Sequence, residues 1–161
     1  MTTKIATHED LDLIFGYYMH PAINPFLLYE PMDKNDFLPI YEDLIAKKII
    51  YICQNDDLEA VGMFKLFQMP YRNSHIMYLG GVAIHPDFGG QGFGKKMMQI
   101  VIEIAKQHGA KRIELSTATT NATAIRLHES VGFEKEGIFR NYTFLKSENR
   151  YLDEVVMSYL M

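Results

Sequence analysis

The sequence has few of the features that mark membrane, secreted or nucleic-acid-binding proteins. Its one cysteine, Cys53, lies in the apolar segment KKIIYICQ, which predicts a buried structural thiol and no disulfide. No segment approaches the ~18 apolar residues of a membrane span, and the N-terminus lacks a basic start followed by an apolar run. The formal net charge of −4 argues against nucleic-acid binding, which needs a basic surface. We therefore expect a cytoplasmic protein with no membrane and no nucleic-acid partner.

Internal repeats, low-complexity stretches and linkers are also absent, so the 161 residues predict a single domain over residues 1–161. Periodicity and turn residues predict the order β-α-α-β-β-β-α-β-α-β-β. This is an α+β chain with a mixed, mostly antiparallel sheet of about seven strands flanked by about four helices. The predicted helices cover residues 8–19 and 35–46, a stretch from Phe93 to a Gly109 stop, and a stretch capped by Thr120 or Asn121 that stops at Gly132.

The segment HPDFGGQGFGKK places four glycines within residues 89–94, between a predicted strand and a predicted helix. Such junctions bind phosphates, because free backbone N–H groups and the helix dipole attract anions. A Walker A loop would need Ser or Thr where Lys96 stands. A dinucleotide fingerprint begun at Gly90 would need glycine at Lys95, and one begun at Gly92 would need it at Met97. Neither motif is present, and a nucleotide hydrolase is disfavoured.

The run YLGGVAIHPDFGGQGFGKKMM, followed by NATAIRLHESVGF, resembles the GNAT superfamily of acyl-CoA-dependent N-acetyltransferases over nearly the whole chain. The resemblance implies a GNAT-like fold whose central strand is bulged at Gly80-Gly81, and acetyl-CoA as the cosubstrate. It differs at Gly89, where the family usually has Arg or Gln, so that Gln91 or Lys95 would have to supply the missing side chain. A flexible turn with two solvated lysines is the structural alternative. The implied coenzyme-binding residues are Val82, Ala83, Ile84, Gln91, Gly92, Phe93, Gly94, Lys95, Lys96 and Asn121.

The resemblance also implies direct attack of an amine on the thioester, with carbonyl polarisation by a backbone N–H of the bulged strand. His128 stands where the family commonly has a tyrosine that protonates the leaving thiolate. A histidine there could donate to the sulfur, accept from the amine, or simply pack in the core. Tyr142 is the alternative phenol. Asn121 and His128 share one stripe of the helix, and Asn121 could cap the helix as well as contact coenzyme.

The general base is not identified by the sequence, because HIMYLGGVAI contains no carboxylate. Glu30 and Asp33, in the proline-rich loop expected to border the acceptor site, are candidates, although surface acids are the commoner explanation. The acceptor is predicted to be a primary amine of a small molecule or protein. Scattered histidines predict no metal. The alternative function is a catalytically inactive acyl-CoA-binding module, and the chain is expected to be a monomer or a homodimer.

Overall fold

A computed structural model describes residues 1–161 and contains one seven-stranded mixed sheet with the strand order β1-β2-β3-β4-β5-β7-β6. The predicted order of helices and strands is confirmed. The strands are β1 Thr2–Ile5, β2 Ile50–Gln54, β3 Ala60–Gln68, β4 Ile76–Ile84, β5 Arg112–Ala118, β6 Glu134–Leu145 and β7 Arg150–Leu160. The helices are α1 Leu11–Met19, α2 Lys34–Ala46, α3 Phe93–Gln107 and α4 Ala122–Glu129. No helix is both long and apolar enough to cross a membrane.

The chain groups into two compact units, of which the first contains residues 1–65 and 81–93. Helices α1 and α2 bury aromatic side chains in this unit, including Tyr17, Tyr18, Phe37 and Tyr41. The carboxylate of Asp33 accepts a hydrogen bond from the Asp36 backbone N–H at 2.9 Å and so caps α2. This cap explains why α2 begins where it does, and it gives Asp33 a structural role.

The thiol of Cys53 is fully buried in the first unit, which confirms the prediction of a structural cysteine. It lies on β2, which pairs antiparallel with both β1 and β3. Burial raises the pKa of this thiol to about 12, so it stays protonated and unreactive at neutral pH.

The second unit contains residues 66–80 and 94–161. One face of α3 is buried along Met97, Val101 and Ala105, as the helical spacing predicts, and Gly109 has φ 73 just after the helix. Strand β4 pairs parallel with β5 from Ile76↔Arg112 to Tyr78↔Glu114. Strand β7 pairs antiparallel with β5 on one side and with β6 on the other.

The irregularity predicted within β4 is present at Gly81, whose φ of 59° lies in the left-handed region. A Cβ at this position would lie 3.1 Å from the hydroxyl oxygen of Tyr18 and 3.6 Å from Cβ of Lys65. Both the backbone conformation and the close approach of Tyr18 therefore favour glycine at residue 81.

We predict that Gly81→Ala lowers the free energy of unfolding by about 1–2 kcal/mol, because an L side chain is disfavoured at positive φ. Gly16→Ala is the matched control, since Gly16 lies inside α1 and no atom within 4 Å would oppose its Cβ. That control should stabilise the protein by about 0.5–1 kcal/mol. Urea unfolding measures both variants, and a neutral or stabilising Gly81→Ala would contradict the prediction.

Candidate active site

The glycine loop runs from a short 3-10 turn at Pro86–Phe88 into α3. Gly90 and Gly92 have φ 73 and 80, and a Cβ built on either would meet nothing within 4 Å. The side-chain amide of Gln91 donates to the carbonyl oxygen of Asp87 at 3.1 Å and so folds back on the loop. Positive φ at two glycines turns the chain sharply while its backbone stays open to approach.

The first turn of α3 contains Lys95 and Lys96 and no acidic residue. The first four N–H groups of a helix have no intrahelical acceptor, and the helix dipole favours negative charge at this end. Lysines therefore oppose the dipole in the free protein, although they would attract an anion bound to these N–H groups. The arrangement can hold a phosphate or diphosphate.

The predicted coenzyme strand, Val82, Ala83 and Ile84, belongs to the first unit. It forms the end of β4, and the backbone N–H of the next residue, His85, donates to the carbonyl oxygen of Val61 at 3.0 Å. Ala83 is buried, whereas Val82 and Ile84 are half-buried. Their backbone contacts with a coenzyme stay a prediction.

Helix α4 in the second unit is capped by Asn121, whose side-chain oxygen accepts a hydrogen bond from the Ala124 backbone N–H at 3.2 Å. The cap predicted for this helix is therefore Asn121 rather than Thr120. The amide nitrogen of Asn121 lies 3.4 Å from the hydroxyl of Thr117. The cap leaves the residue's proposed second role, contact with the coenzyme, untested.

His128 lies on the buried side of α4, with 3% of its surface exposed, and its ring packs 5.8 Å from the ring of Phe133. Its Nδ1 atom is buried without a hydrogen-bond partner. Burial lowers the pKa of His128 to about 4, so the imidazole is neutral at pH 7. A charged imidazolium at this position would be costly, which supports the packing interpretation of His128; its catalytic role stays a prediction.

Tyr142 is more than half exposed on β6 and its ring packs 4.8 Å from that of Phe139. It follows Asn141, which has φ 51 and whose backbone N–H is bound by the Asp153 carboxylate at 2.8 Å. The register between β6 and β7 shifts here, between Phe139 and Thr143. The distorted strand holds Tyr142 at the surface, and its catalytic role stays a prediction.

A hydroxyl-carboxylate cluster in the second unit was not predicted from the sequence. Glu154, on β7, accepts hydrogen bonds from the hydroxyls of Ser116, on β5, and Thr143, on β6; the Thr143 bond is 2.5 Å. The Ser116 hydroxyl also lies 3.2 Å from the hydroxyl of Tyr78, on β4. Burial is the main reason that the pKa of Tyr78 is raised. Four strands thus bring together one carboxylate and three hydroxyls.

The proline-rich loop, predicted to border the acceptor, divides its apolar residues between core and surface. Leu27 and Tyr29 pack against the buried cluster of the first unit, whereas Phe26 and Leu28 are exposed. Core packing therefore accounts for half of this apolar content, and a role of the exposed half in acceptor binding stays a prediction.

Known proteins resemble this chain in sequence and in fold. The acetyltransferase (GNAT) family profile matches residues 14–133. The SPbeta prophage-derived uncharacterized N-acetyltransferase YokL of Bacillus subtilis (strain 168) is 30% identical over 152 residues, which cover 91% of this chain and 82% of that protein. The ribosomal protein bS18-alanine N-acetyltransferase of Escherichia coli (strain K12) is 36% identical over 64 residues, which cover 40% and 43% of the two chains.

Among solved structures, the spermidine N-acetyltransferase of Vibrio cholerae, determined with CoA and spermine, superimposes with a TM-score of 0.86 at 21% identity, covering 99% of this chain and 94% of that one. At this identity the structural likeness shows the fold alone. The family is shown by the sequence profile, which spans most of the chain. The chain therefore belongs to the acetyltransferase (GNAT) family, as its glycine loop and α4 sequence suggest.

Proposed function

We propose that this protein transfers an acetyl group from acetyl-CoA to a primary amine, by direct attack in a ternary complex. The observation that carries the proposal is the open glycine loop, with positive φ at Gly90 and Gly92, which enters the cationic first turn of α3 in a chain of this family. Amide formation from a thioester needs no redox chemistry, so a bound acyl donor and a deprotonated amine suffice.

The residues present fit the coenzyme at its diphosphate. Backbone N–H groups of Gln91, Gly92, Phe93, Gly94, Lys95 and Lys96 would hold the diphosphate, since open space surrounds Gly90 and Gly92. The backbone of Val82, Ala83 and Ile84 would align with the pantetheine arm as an added strand does. The Asn121 side chain would contact the coenzyme in addition to capping α4. Acetyl-CoA supplies the activated acyl group.

The acceptor is proposed at the level of a chemical class. Relatives are named for the alanine of ribosomal protein bS18, for spermidine and for L-methionine sulfoximine, and each of these is an amine. Because these acceptors differ in charge and size, only the amine is carried over to this chain. A cytoplasmic location and a single-domain organisation stay predictions.

We predict thiol release from acetyl-CoA in the presence of at least one amine from a panel of spermidine, L-methionine sulfone and a peptide with N-terminal alanine. A thiol-reactive dye measures the rate. Direct attack predicts intersecting double-reciprocal plots, whereas an acyl-enzyme would give parallel lines. Coenzyme binding by calorimetry without turnover of any amine would instead favour the inactive acyl-CoA-binding module.

Reversing one charge in the glycine loop separates binding from stability. Lys95→Glu should weaken CoA binding by about tenfold or more, because it places an anion beside the diphosphate. The same change should leave the fold as stable or raise the free energy of unfolding by about 0.3–1 kcal/mol, since an acidic first turn complements the helix dipole. Lys111→Glu, an exposed residue before β5, is the control with the same net charge. Equal CoA affinity in both variants would argue against a diphosphate at this loop.

The buried imidazole of His128 makes a distinct prediction about pH. Its pKa of about 4 in the folded protein lies below the ordinary value of 6.5. Between these two pH values the unfolded chain therefore binds a proton at His128, whereas the folded chain does not. The resulting stability is fully present above pH ~6.5 and is lost as pH falls toward 4. Between pH 7 and pH 5 the loss should be about 2 kcal/mol.

In His128→Gln, this loss should disappear from urea-unfolding curves measured at the two pH values. His108→Gln is the control, because His108 is exposed at the end of α3. A parallel loss in the wild type and in His128→Gln would contradict the neutral, buried assignment. If turnover falls much more than stability at pH 7, the predicted proton-transfer role of His128 gains support.

A further inference from the structure

Glu154 lies among buried residues of β7. Alternation along the strand places it on the same face as Leu152 and Val156, which are 6% and 8% exposed. A carboxylate here costs free energy unless hydrogen bonds compensate it. Both oxygens do accept hydrogen bonds, from Ser116 and Thr143. An acidic residue at this position is unusual, because its neighbours on this face of β7 are apolar.

A second carboxylate in the same unit shows what a purely structural acid looks like. Glu136 on β6 is bound by the guanidinium of Arg112 and by the Ser158 hydroxyl at 2.6 Å. The hydrogen bond from the Arg112 guanidinium is the main reason that the pKa of Glu136 is lowered to about 2, and the carboxylate therefore stays ionised. Glu154 instead pairs with hydroxyls and not with a lysine or arginine. The partners of its two oxygens are therefore neutral.

The hydrogen bonds of Ser116 also have a direction. Because its one proton is donated to Glu154, Ser116 must accept at its other contact, and Tyr78 is then the donor. The chain runs from the Tyr78 hydroxyl through the Ser116 hydroxyl to the carboxylate. A proton delivered to the Tyr78 oxygen can thus reach Glu154 by successive transfers along existing hydrogen bonds.

We propose that Glu154 accepts the proton of the acceptor's ammonium group through Ser116 and Tyr78. The inference rests on the proposed acetyl transfer. The ammonium N–H bond breaks as its proton passes to Tyr78, the Tyr78 proton passes to Ser116, and the Ser116 proton passes to Glu154. The products are a neutral amine and a protonated Glu154. Tyr78 lies on β4, two residues before Gly80.

The groups around the cluster are compatible with this transfer. Tyr142 on β6 and Glu114 on β5 interact electrostatically with Tyr78, as Glu154 itself does. Glu114 is held by Arg112 at 3.0 Å, so its charge is already paired. Asp153, next to Glu154, faces the Asn141 backbone N–H instead. The ionisable groups that interact electrostatically with Tyr78 are therefore negative or neutral, which favours the approach of a cationic ammonium group.

The test compares Glu154→Gln with the wild type on an amine that the acetyl-CoA assay shows to be turned over. At pH 7, kcat/KM should fall about 100-fold or more, as for loss of a general base, whereas CoA affinity by calorimetry should be unchanged. The deficit should shrink about tenfold per pH unit and nearly vanish by about pH 9.5, because the amine then loses its proton to solvent. Glu134→Gln, exposed on β6, is the control for lost charge.

Ser116→Ala and Ser116→Thr test the relay itself. Ser116→Ala should show the same pH-dependent deficit, and Ser116→Thr should restore activity because it keeps the hydroxyl. A Glu154→Gln deficit that is constant with pH would overturn the proposal and leave a structural role, as would wild-type activity in Glu154→Gln. Absence of turnover by the wild type at every pH would overturn the proposed function and this inference together.

Discussion

The proposed function depends on the backbone N–H groups at the start of α3. These groups have no carbonyl partner within the helix, and the charged side chains of the first turn, Lys95 and Lys96, cannot accept hydrogen bonds. The preceding glycines bend the chain at positive φ without covering these groups. A diphosphate would match both the N–H groups and the positive charge of this turn.

Three ionisable side chains, those of His128, Glu136 and Glu154, have different environments in this structure. The side chain of His128 is buried, and its Nδ1 atom has no hydrogen-bond partner. Burial lowers its pKa, so the imidazole is uncharged at neutral pH. Glu136 keeps its charge because Arg112 compensates it. Glu154 differs from both, because it is half-buried and its carboxylate accepts hydrogen bonds from neutral hydroxyls. The proposed proton transfer depends on this difference, because the hydroxyls form a continuous hydrogen-bond chain to the carboxylate.

Local sequence signals predicted the fold and the open glycine loop well, whereas the binding of coenzyme at this loop stays a prediction. The order of strands and helices follows from apolar residues spaced at the strand and helix periods. The glycines between Phe88 and Lys95 indicate an open turn, and this signal does not depend on residues elsewhere in the chain. The cluster around Glu154 could not be predicted, because its members come from four strands and Tyr78 is separated from Ser116 by 38 residues. The protonation state of His128 could not be predicted either, because helical spacing gives the side of the helix on which a residue lies but not how deeply its side chain is buried.

The chemistry of the proposed reaction favours a base over an acid in this site. A thiol with an ordinary pKa near 8.5 leaves readily as a thiolate, whereas an alkyl ammonium near 10.4 must lose a proton before it can attack. The harder proton transfer at neutral pH is therefore the one from the amine. A histidine that burial keeps neutral, such as His128, is a poor proton donor to the sulfur of the leaving group. The reaction loses little rate without this donor, because the thiolate is already a stable leaving group. A carboxylate reached through hydroxyls meets the greater need, because it can take up the proton without placing a bare anion beside the electrophilic carbonyl.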